Sequence, residues 1–232
     1  MELSSRPAAG EAGASAQREM ERKHARRMQA AANRPKGMRG LLARLSGPSQ
    51  AEKRQLAEER AWATGARGEQ MLEEHLRRKC PEVLMLHDRR IPRSRANIDH
   101  IAVAASGVYV IDAKRYRGKI DVRKPLFGRP KLLIAGRDRT KLIDGLERQV
   151  GIVRAALSET APEVPVHGCL CFLDPEGFLA ESGLPVLRRL KIRGHALYSP
   201  RRLAKRLNES GALAEETALD IHAELARRLR AA

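Results

Sequence analysis

Two short runs of apolar residues near the middle of the chain, residues 101–105 and 108–111, are separated only by Ser106 and Gly107. Both runs are rich in β-branched residues, and a two-residue connection that contains glycine is typical of a tight turn between antiparallel strands. The pattern therefore predicts a β-hairpin. We expect the other elements of the chain to be organised around it.

A long helical pattern precedes this hairpin. Ser49, followed three residues later by Glu52, forms a capping box that predicts a helix over residues 50–79. Gly65 and Gly68 fall inside that helix. Because a glycine costs roughly 1 kcal/mol in a helix interior, the pair indicates a helix start or a close approach of another segment to the backbone.

The rest of the chain alternates between strand patterns and helix patterns, which is typical of an α/β fold. Short runs of alternating or continuous apolar residues predict strands at residues 83–87, within 115–124, at 164–173 and at 194–198. Apolar residues repeating every three or four positions predict helices at residues 141–157, 201–207 and 214–229.

The composition sets the size of the domain and the nature of its core. A chain of 232 residues can hold one domain and an extension. Residues 1–47 are predicted to be a basic arm that is disordered or loosely helical, and residues 48–232 the folded domain. Hydrophobic residues make up 42% of the chain but aromatic residues only 3%, so the core must consist mainly of aliphatic side chains.

The net charge of +17, with an isoelectric point near 10.7, indicates a polyanionic partner. Nucleic acid is the commonest such partner, and an acidic membrane surface is the alternative. No apolar run approaches the ~20 residues that span a bilayer, and the polar N-terminus carries no signal segment. The three cysteines fit a reducing compartment and are expected to be buried thiols rather than zinc ligands. We therefore expect a soluble cytoplasmic protein.

The charged ends of the hairpin carry the candidate chemistry. Asp99 enters the first strand and Asp112 leaves the second, so antiparallel pairing brings both to the same end. Lys114 lies about 6.6 Å further along the strand and on the same face as Asp112. Two carboxylates can hold Mg²⁺ through oxygen, and a lysine beside them can stabilise negative charge on a phosphodiester. The alternative is an ordinary solvated hairpin with charged ends.

Residues outside the hairpin can complete such a site. Glu69 would supply a third acid, or only complement the dipole in the first turn of its helix. Basic residues after the hairpin can bind phosphate or protect a sheet edge from aggregation. These are Arg115, Arg117 and Lys119. Gln149, on the predicted helix at 141–157, is either a surface residue or a hydrogen-bonding partner of the lysine or the substrate.

Four segments in this order resemble the nuclease-related domain, NERD, of the PD-(D/E)xK superfamily. They are Gly-Ala-Arg-Gly-Glu at 65–69, Asn-Ile-Asp-His at 97–100, Gly-Val-Tyr-Val-Ile-Asp-Ala-Lys at 107–114 and Tyr-Arg-Gly at 116–118. The resemblance covers residues 64–173 and implies a restriction-endonuclease-like core, with a central mixed β-sheet flanked by helices. A C-terminal strand and helices would follow at residues 184–230.

The resemblance also implies roles for the site residues. Asp99 and Asp112 would bind Mg²⁺ or Mn²⁺, Lys114 would support the attacking water, and Glu69 would contribute from the first helix. Gln149 resembles the helix glutamine of the superfamily. One departure from the family pattern is Asp112, which stands where these sequences more often carry Glu.

Three functions follow as hypotheses. The first is a metal-dependent nuclease that cleaves DNA, for example in DNA processing or repair. The second is a noncatalytic nucleic-acid-binding module on the same fold. The third is a protein-interaction or membrane-surface adaptor that uses the basic arm. Asp112→Ala separates the first two, because it should abolish cleavage but leave binding largely intact.

Overall fold

The computed structural model describes residues 9–32, 49–94, 96–116, 118–173 and 190–232. The predicted boundary between arm and domain at residues 47 and 48, and the predicted start of the C-terminal region at residue 184, lie outside the described residues. Within them the helices are α1 (Ala14–Ala32), α2 (Gln50–Lys79), α3 (Lys141–Leu157), α4 (Pro200–Leu207) and α5 (Glu215–Arg228).

The strands of the described residues form two sheets. In chain order they are β1 (Leu84–Arg90), β2 (Asn97–Ala104), β3 (Gly107–Arg115), β4 (Ile120–Arg123), β5 (Lys131–Ile134), β6 (Arg137–Asp138), β7 (Val166–Leu173), β8 (Lys191–Ile192) and β9 (His195–Tyr198). The larger sheet has the order β1-β2-β3-β7-β9-β8, and β4, β5 and β6 form a small antiparallel sheet beside it.

The larger sheet is mixed, because β3, β7 and β9 run parallel whereas the other neighbours are antiparallel. Helices α2 and α4 pack on one face, while α3 and α5 pack on the other. This arrangement confirms the predicted α/β fold with a central mixed sheet flanked by helices, and it is consistent with a restriction-endonuclease-like core.

The central hairpin forms as its sequence predicts. Strand β2 pairs with β3 in a register that sets Ala104 opposite Gly107 and His100 opposite Ile111. The turn therefore lies at Ala105 and Ser106, one residue earlier than the pattern suggests. Gly107 adopts a φ of +123°, and a side chain there would collide with the carbonyl of Pro165.

Helix α2 begins at its predicted capping box, in which Ser49 and Glu52 exchange hydrogen bonds. It continues through both glycines without a break. The close approach that the glycines indicate is real, however, because a Cβ on Gly68 would lie only 3.3 Å from the Cδ of Arg115. Residue 68 is therefore glycine in order to admit the side chain of a strand residue.

Both ends of the described chain cover the outer edge of β1. The His87 amide donates to the carbonyl of Ala9 at 2.7 Å, and the Ala232 amide donates to the carbonyl of Asp88 at 2.8 Å. Helix α1 packs along α2, where Arg27 donates to the carboxylate of Glu59 at 2.7 Å. An edge strand protected in this way is not open to pairing with another chain.

Two further features bear on the sequence predictions. Cys80, Cys169 and Cys171 are free and buried, as expected. None of the helices in the described ranges is long and apolar enough to cross a membrane.

Candidate active site

Asp99 and Asp112 face each other across the two strands of the central hairpin. His100 lies opposite Ile111, so the next pair along the ladder is Asp99 with Asp112. The Oδ2 atom of Asp99 accepts a hydrogen bond from the Ala113 amide at 2.9 Å, and this bond holds the β2 carboxylate against strand β3. Antiparallel pairing thus brings the two predicted acids together.

Lys114 joins the two carboxylates. Its ammonium donates to Oδ1 of Asp112 and, at 3.2 Å, to the carbonyl of Ala113. The same Nζ lies 3.8 Å from Oδ2 of Asp99. The sequence spacing predicts this contact, because residues two apart on a strand share a face.

The electrostatics of this trio reflect a shortage of positive charge. Burial raises the pKa of the Asp112 carboxyl, and Asp99 raises it further, while Lys114 opposes both. Burial alone would lower the pKa of Lys114, but Asp112 and Asp99 outweigh that effect and raise it above its ordinary value. The Lys114 ammonium is therefore the counter-charge for two carboxylates, those of Asp112 and Asp99.

Glu69 lies in the middle of α2, so its predicted position in the first turn of a helix is wrong. The helix runs unbroken through the glycines, and the dipole at its N-terminus is about five turns away. Burial raises the pKa of Glu69 to about 9, with further contributions from Asp99 and Asp88. Its carboxyl group therefore belongs to the same electrostatic cluster as the hairpin acids.

Asp88 is a member of this cluster that the sequence interpretation missed. His87 pairs with His100 and Arg89 with Ile98, so the register sets Asp88 across from Asp99. Three aspartates thus occupy one level of three adjacent strands. The strand predicted at residues 83–87 ends one residue before Asp88, whereas β1 continues to Arg90.

Asp88 already has hydrogen-bonding partners on both carboxylate oxygens. Ser15 donates its amide to Oδ2 at 2.6 Å and its hydroxyl to Oδ1 at 2.7 Å, while the side-chain amide of Asn97 donates to Oδ1 at 2.9 Å. Asp88 has a φ of +49°, in the left-handed region. It anchors the start of α1 beside the site and contributes negative charge there.

His100 is not part of the acid cluster. It is completely buried, and its Nδ1 atom lies 2.8 Å from Nδ1 of His87 on the neighbouring strand. Burial lowers the pKa of each ring to about 3. The pair is therefore neutral and structural, in line with the strand alternation that turns His100 away from Asp99.

The predicted substrate-binding residues lie in different surroundings. Arg115 packs its side chain over Gly68 of α2, and Lys119 is exposed between β3 and β4. Arg117 lies outside the described residues. Gln149 lies on α3, which packs against β3 and β7, and its Oε1 atom is buried without a hydrogen-bond partner in the described part of the chain.

The donor set at the hairpin suits a hard divalent cation rather than a closed metal cage. Among the described residues no three His, Cys, Asp or Glu side chains are arranged as a ready ligand cluster. Mg²⁺ is commonly held by only one or two carboxylates and keeps several waters. Asp99 and Asp112 match that requirement, and a cation there would offset the negative charge to which Asp88 contributes.

Comparison with known proteins gives one match. Residues 64–173 match the family described as nuclease-related domain. This range contains α2 from its fifteenth residue onward, the whole central hairpin, the small sheet, α3 and β7. No curated protein and no solved structure matches the chain.

Proposed function

Because residues 64–173 match the family described as nuclease-related domain, we propose that this protein is a divalent-metal-dependent nuclease that hydrolyses phosphodiester bonds in DNA, in DNA processing or repair. The observation that carries the proposal is the meeting of Asp99, Asp112 and Lys114 at one end of the central hairpin. Paired carboxylates with an adjacent ammonium are suited to the chemistry of phosphodiester cleavage.

Each residue has a role in this proposal. Asp99 and Asp112 would hold Mg²⁺ or Mn²⁺, which supplies Lewis-acid activation of the phosphodiester when bound. Asp99 keeps its orientation through the Ala113 amide. Lys114 carries a firmly held positive charge, so its ammonium can orient a water molecule by hydrogen bonding and stabilise negative charge on phosphate oxygens. Glu69 supports the cluster from α2.

The net charge of +17 supports a polyanionic substrate. Arg115 directly follows Lys114, and Lys119 lies five positions after it. Both would contact phosphates next to the reacting one. A protein that neutralises several phosphates in this way binds nucleic acid with a steep dependence on salt concentration.

A noncatalytic nucleic-acid-binding module is the second candidate. The observation that favours it is the position of Lys114, whose ammonium already neutralises Asp112 and lies near Asp99. In such a module the lysine would stand in place of a metal ion, and the domain would only grip the nucleic acid backbone.

The test is cleavage of supercoiled and linear DNA by the full chain with Mg²⁺, with Mn²⁺ or with EDTA. We expect cutting that requires metal and that Asp112→Asn and Lys114→Ala both abolish. Asp220→Asn makes the same chemical change at an exposed position of α5 and should cut normally. Salt-sensitive binding without cleavage by the wild type would instead favour the binding module.

A further inference from the structure

The small sheet carries a projecting hairpin tip with two exposed apolar side chains. Strands β4 and β5 pair from Ile120 with Ile134 to Arg123 with Lys131, and residues 124–130 connect them. In this connection the exposed fractions are 98% for Leu126 and 92% for Phe127. Large apolar side chains so fully exposed require an explanation, because water contact with them is unfavourable.

The base of this hairpin is firmly anchored. Ile120, Leu132 and Ile134 are buried in the main hydrophobic core. The Leu132 carbonyl accepts a hydrogen bond from the Arg139 amide at 2.8 Å, immediately before α3. The guanidinium of Arg139 lies 5.8 Å from the ring centre of Tyr116, which links the small sheet to the end of β3. The tip therefore projects from a fixed platform.

The tip itself has restricted backbone freedom. Pro125 precedes the two apolar residues and Pro130 ends the connection, and each proline ring fixes φ. Gly128 has a φ of +100°, which turns the chain directly after Phe127. A tip constrained in this way loses little conformational entropy when it binds a partner.

The surroundings of the tip are strongly basic. Residues 118–139 contain only two acidic side chains, Asp121 and Asp138. The basic residues of this segment are all exposed, and they are Lys119, Arg123, Lys124, Arg129, Lys131, Arg137 and Arg139. This positive charge disfavours a basic partner and a partner whose surface is apolar and uncharged. It favours a polyanion that also has a flat apolar surface. Nucleic acid offers both, in its phosphates and its bases.

The hairpin is also close to the candidate active site along the chain. Ile120 lies six positions after Lys114, a contour of about 20 Å at most. The Ala135 amide donates to the carbonyl of Lys119 at 2.9 Å, which holds the return strand against this connection. A nucleic acid bound at the site can therefore reach the base of the hairpin within a few nucleotides.

We propose that the tip is a stacking wedge, in which Phe127, supported by Leu126, inserts between bases of the bound nucleic acid. Its preferred substrates would contain a break in base stacking, such as a gap or a junction between single and double strand, where insertion is easiest. Arg123, Lys124 and Arg129 would hold the flanking phosphates. The proposal rests on the proposed function only in that the same nucleic acid would occupy both sites.

The test measures binding of the full chain in EDTA, so that cleavage plays no part. The probe is a DNA duplex with a one-nucleotide gap flanked by 2-aminopurine, whose fluorescence reports unstacking. We expect Phe127→Ala to weaken binding about tenfold, as loss of a stacking aromatic does, and to abolish the fluorescence change. Leu219→Ala removes an exposed leucine of α5 and should leave both unchanged.

Two further variants separate stacking from charge. Lys124→Ala with Arg129→Ala should reduce the slope of log affinity against log salt by about 1.8 on duplex DNA, whereas Phe127→Ala should leave that slope unchanged. The chain has a single tryptophan, Trp62. The double variant Phe127→Trp with Trp62→Phe therefore carries a single tryptophan, located at the tip. The fluorescence of this tryptophan should be quenched when bases stack on it.

Failure of the wedge is distinguishable from failure of the proposed nuclease. Equal binding by wild type and Phe127→Ala overturns the wedge even if the wild type cuts DNA with metal. Loss of stacking in Phe127→Ala supports the wedge even if the wild type never cuts. A third outcome would also overturn the wedge: Phe127→Ala binds vesicles of phosphatidylserine and phosphatidylcholine more weakly than the wild type but binds DNA equally well. That result would assign the tip to a membrane surface.

Discussion

Ser15 and Asp88 are 73 positions apart in the sequence, yet the amide and the hydroxyl of Ser15 donate to the two carboxylate oxygens of Asp88 at 2.6 and 2.7 Å. Asp88 lies across from Asp99 in the sheet. The start of α1 is therefore fixed next to the candidate active site. Residues 9–32 are part of the packed structure that supports the site, even though their composition is that of a basic arm.

Asp88→Ala should destabilise the protein. It leaves the Ser15 amide, the Ser15 hydroxyl and the Asn97 side chain without their acceptor, and a buried polar group that loses its partner costs about 1–3 kcal/mol. We expect the free energy of unfolding in urea to fall by about that amount. Asp220→Ala, at an exposed position, is the matched control and should change it little. An unchanged midpoint for Asp88→Ala would show that α1 is not anchored through this residue.

The two glycines of α2 should respond to alanine by different amounts. A Cβ on Gly65 would meet nothing within 4 Å, so Gly65→Ala should stabilise the helix by about 1 kcal/mol. That corresponds to a rise in melting temperature of about 2–4 °C for a chain of this size. Gly68→Ala should gain less, because its Cβ would press on the Cδ of Arg115 at 3.3 Å.

The variants Gly65→Ala and Gly68→Ala also test whether Arg115 contributes to DNA binding at the candidate active site. Because Arg115 follows Lys114, its displacement by Gly68→Ala should weaken DNA binding, whereas Gly65→Ala should bind as the wild type does. Thermal melts and fluorescence anisotropy with labelled DNA measure the two effects. Equal gains in melting temperature with equal DNA affinity would contradict a contact between α2 and Arg115.

Local patterns predict the elements that local sequence controls. The capping box at Ser49 locates the start of α2, and the apolar repeat of residues 141–157 reproduces α3 at both ends. The placement of Asp99 and Asp112 at the same end of the hairpin also follows locally from antiparallel pairing. These features require only neighbours on the same helix or the same pair of strands. The position of the two acids directly opposite each other does not follow locally, because the turn lies one residue earlier than the pattern predicts.

The structural features that the sequence did not predict depend on contacts between residues far apart in the chain. Arg115 fills the space above Gly68, and Asp88, with its left-handed backbone, bonds both to Ser15 and to the C-terminal residues. The glycine pair indicates that another segment approaches the helix but not which one, and nothing in the sequence around Asp88 indicates its distant contacts. The roles of Glu69, Asp99, Asp112 and Lys114 in catalysis, and of Gln149 in substrate binding, stay predictions that rest on geometry and on the resemblance to the family.

Acid should destabilise the protein through His87. Its pKa is lowered to about 3 by burial, with His100 and Arg89 adding repulsion, whereas an unfolded histidine titrates near 6.5. The neutral ring therefore stabilises the fold fully above pH 6.5, and that stability is lost as pH falls from about 6.5 toward 3. The slope can reach about 1.4 kcal/mol per pH unit for one proton.

His87→Gln keeps a hydrogen-bonding side chain beside His100 but removes this titration. We expect its free energy of unfolding, measured in urea between pH 7 and pH 4, to fall less steeply than that of the wild type. The comparison is of slopes, so a constant destabilisation by the substitution does not affect it. Parallel curves for the two proteins would rule out His87 as the titrating group.

Lys114→Met should increase the stabilisation of the protein by divalent metal. The ammonium of Lys114 neutralises Asp112 and lies 3.8 Å from Asp99, so it competes with a cation for these carboxylates. Methionine has similar length and no charge. Without metal the variant should be less stable, because the buried Asp112 and the half-buried Asp99 then face each other without a counter-charge.

Added Mg²⁺ or Mn²⁺ should therefore raise the melting temperature of Lys114→Met more than that of the wild type, since a ligand that binds the folded state stabilises it in proportion to its affinity. The double variant Asp112→Asn with Lys114→Met removes the competing charge and a proposed ligand together, and it should lose the metal response. This measurement needs no cleavage. An equal metal response in the double variant would locate the bound cation away from Asp112 and contradict the assignment of this carboxylate as a ligand.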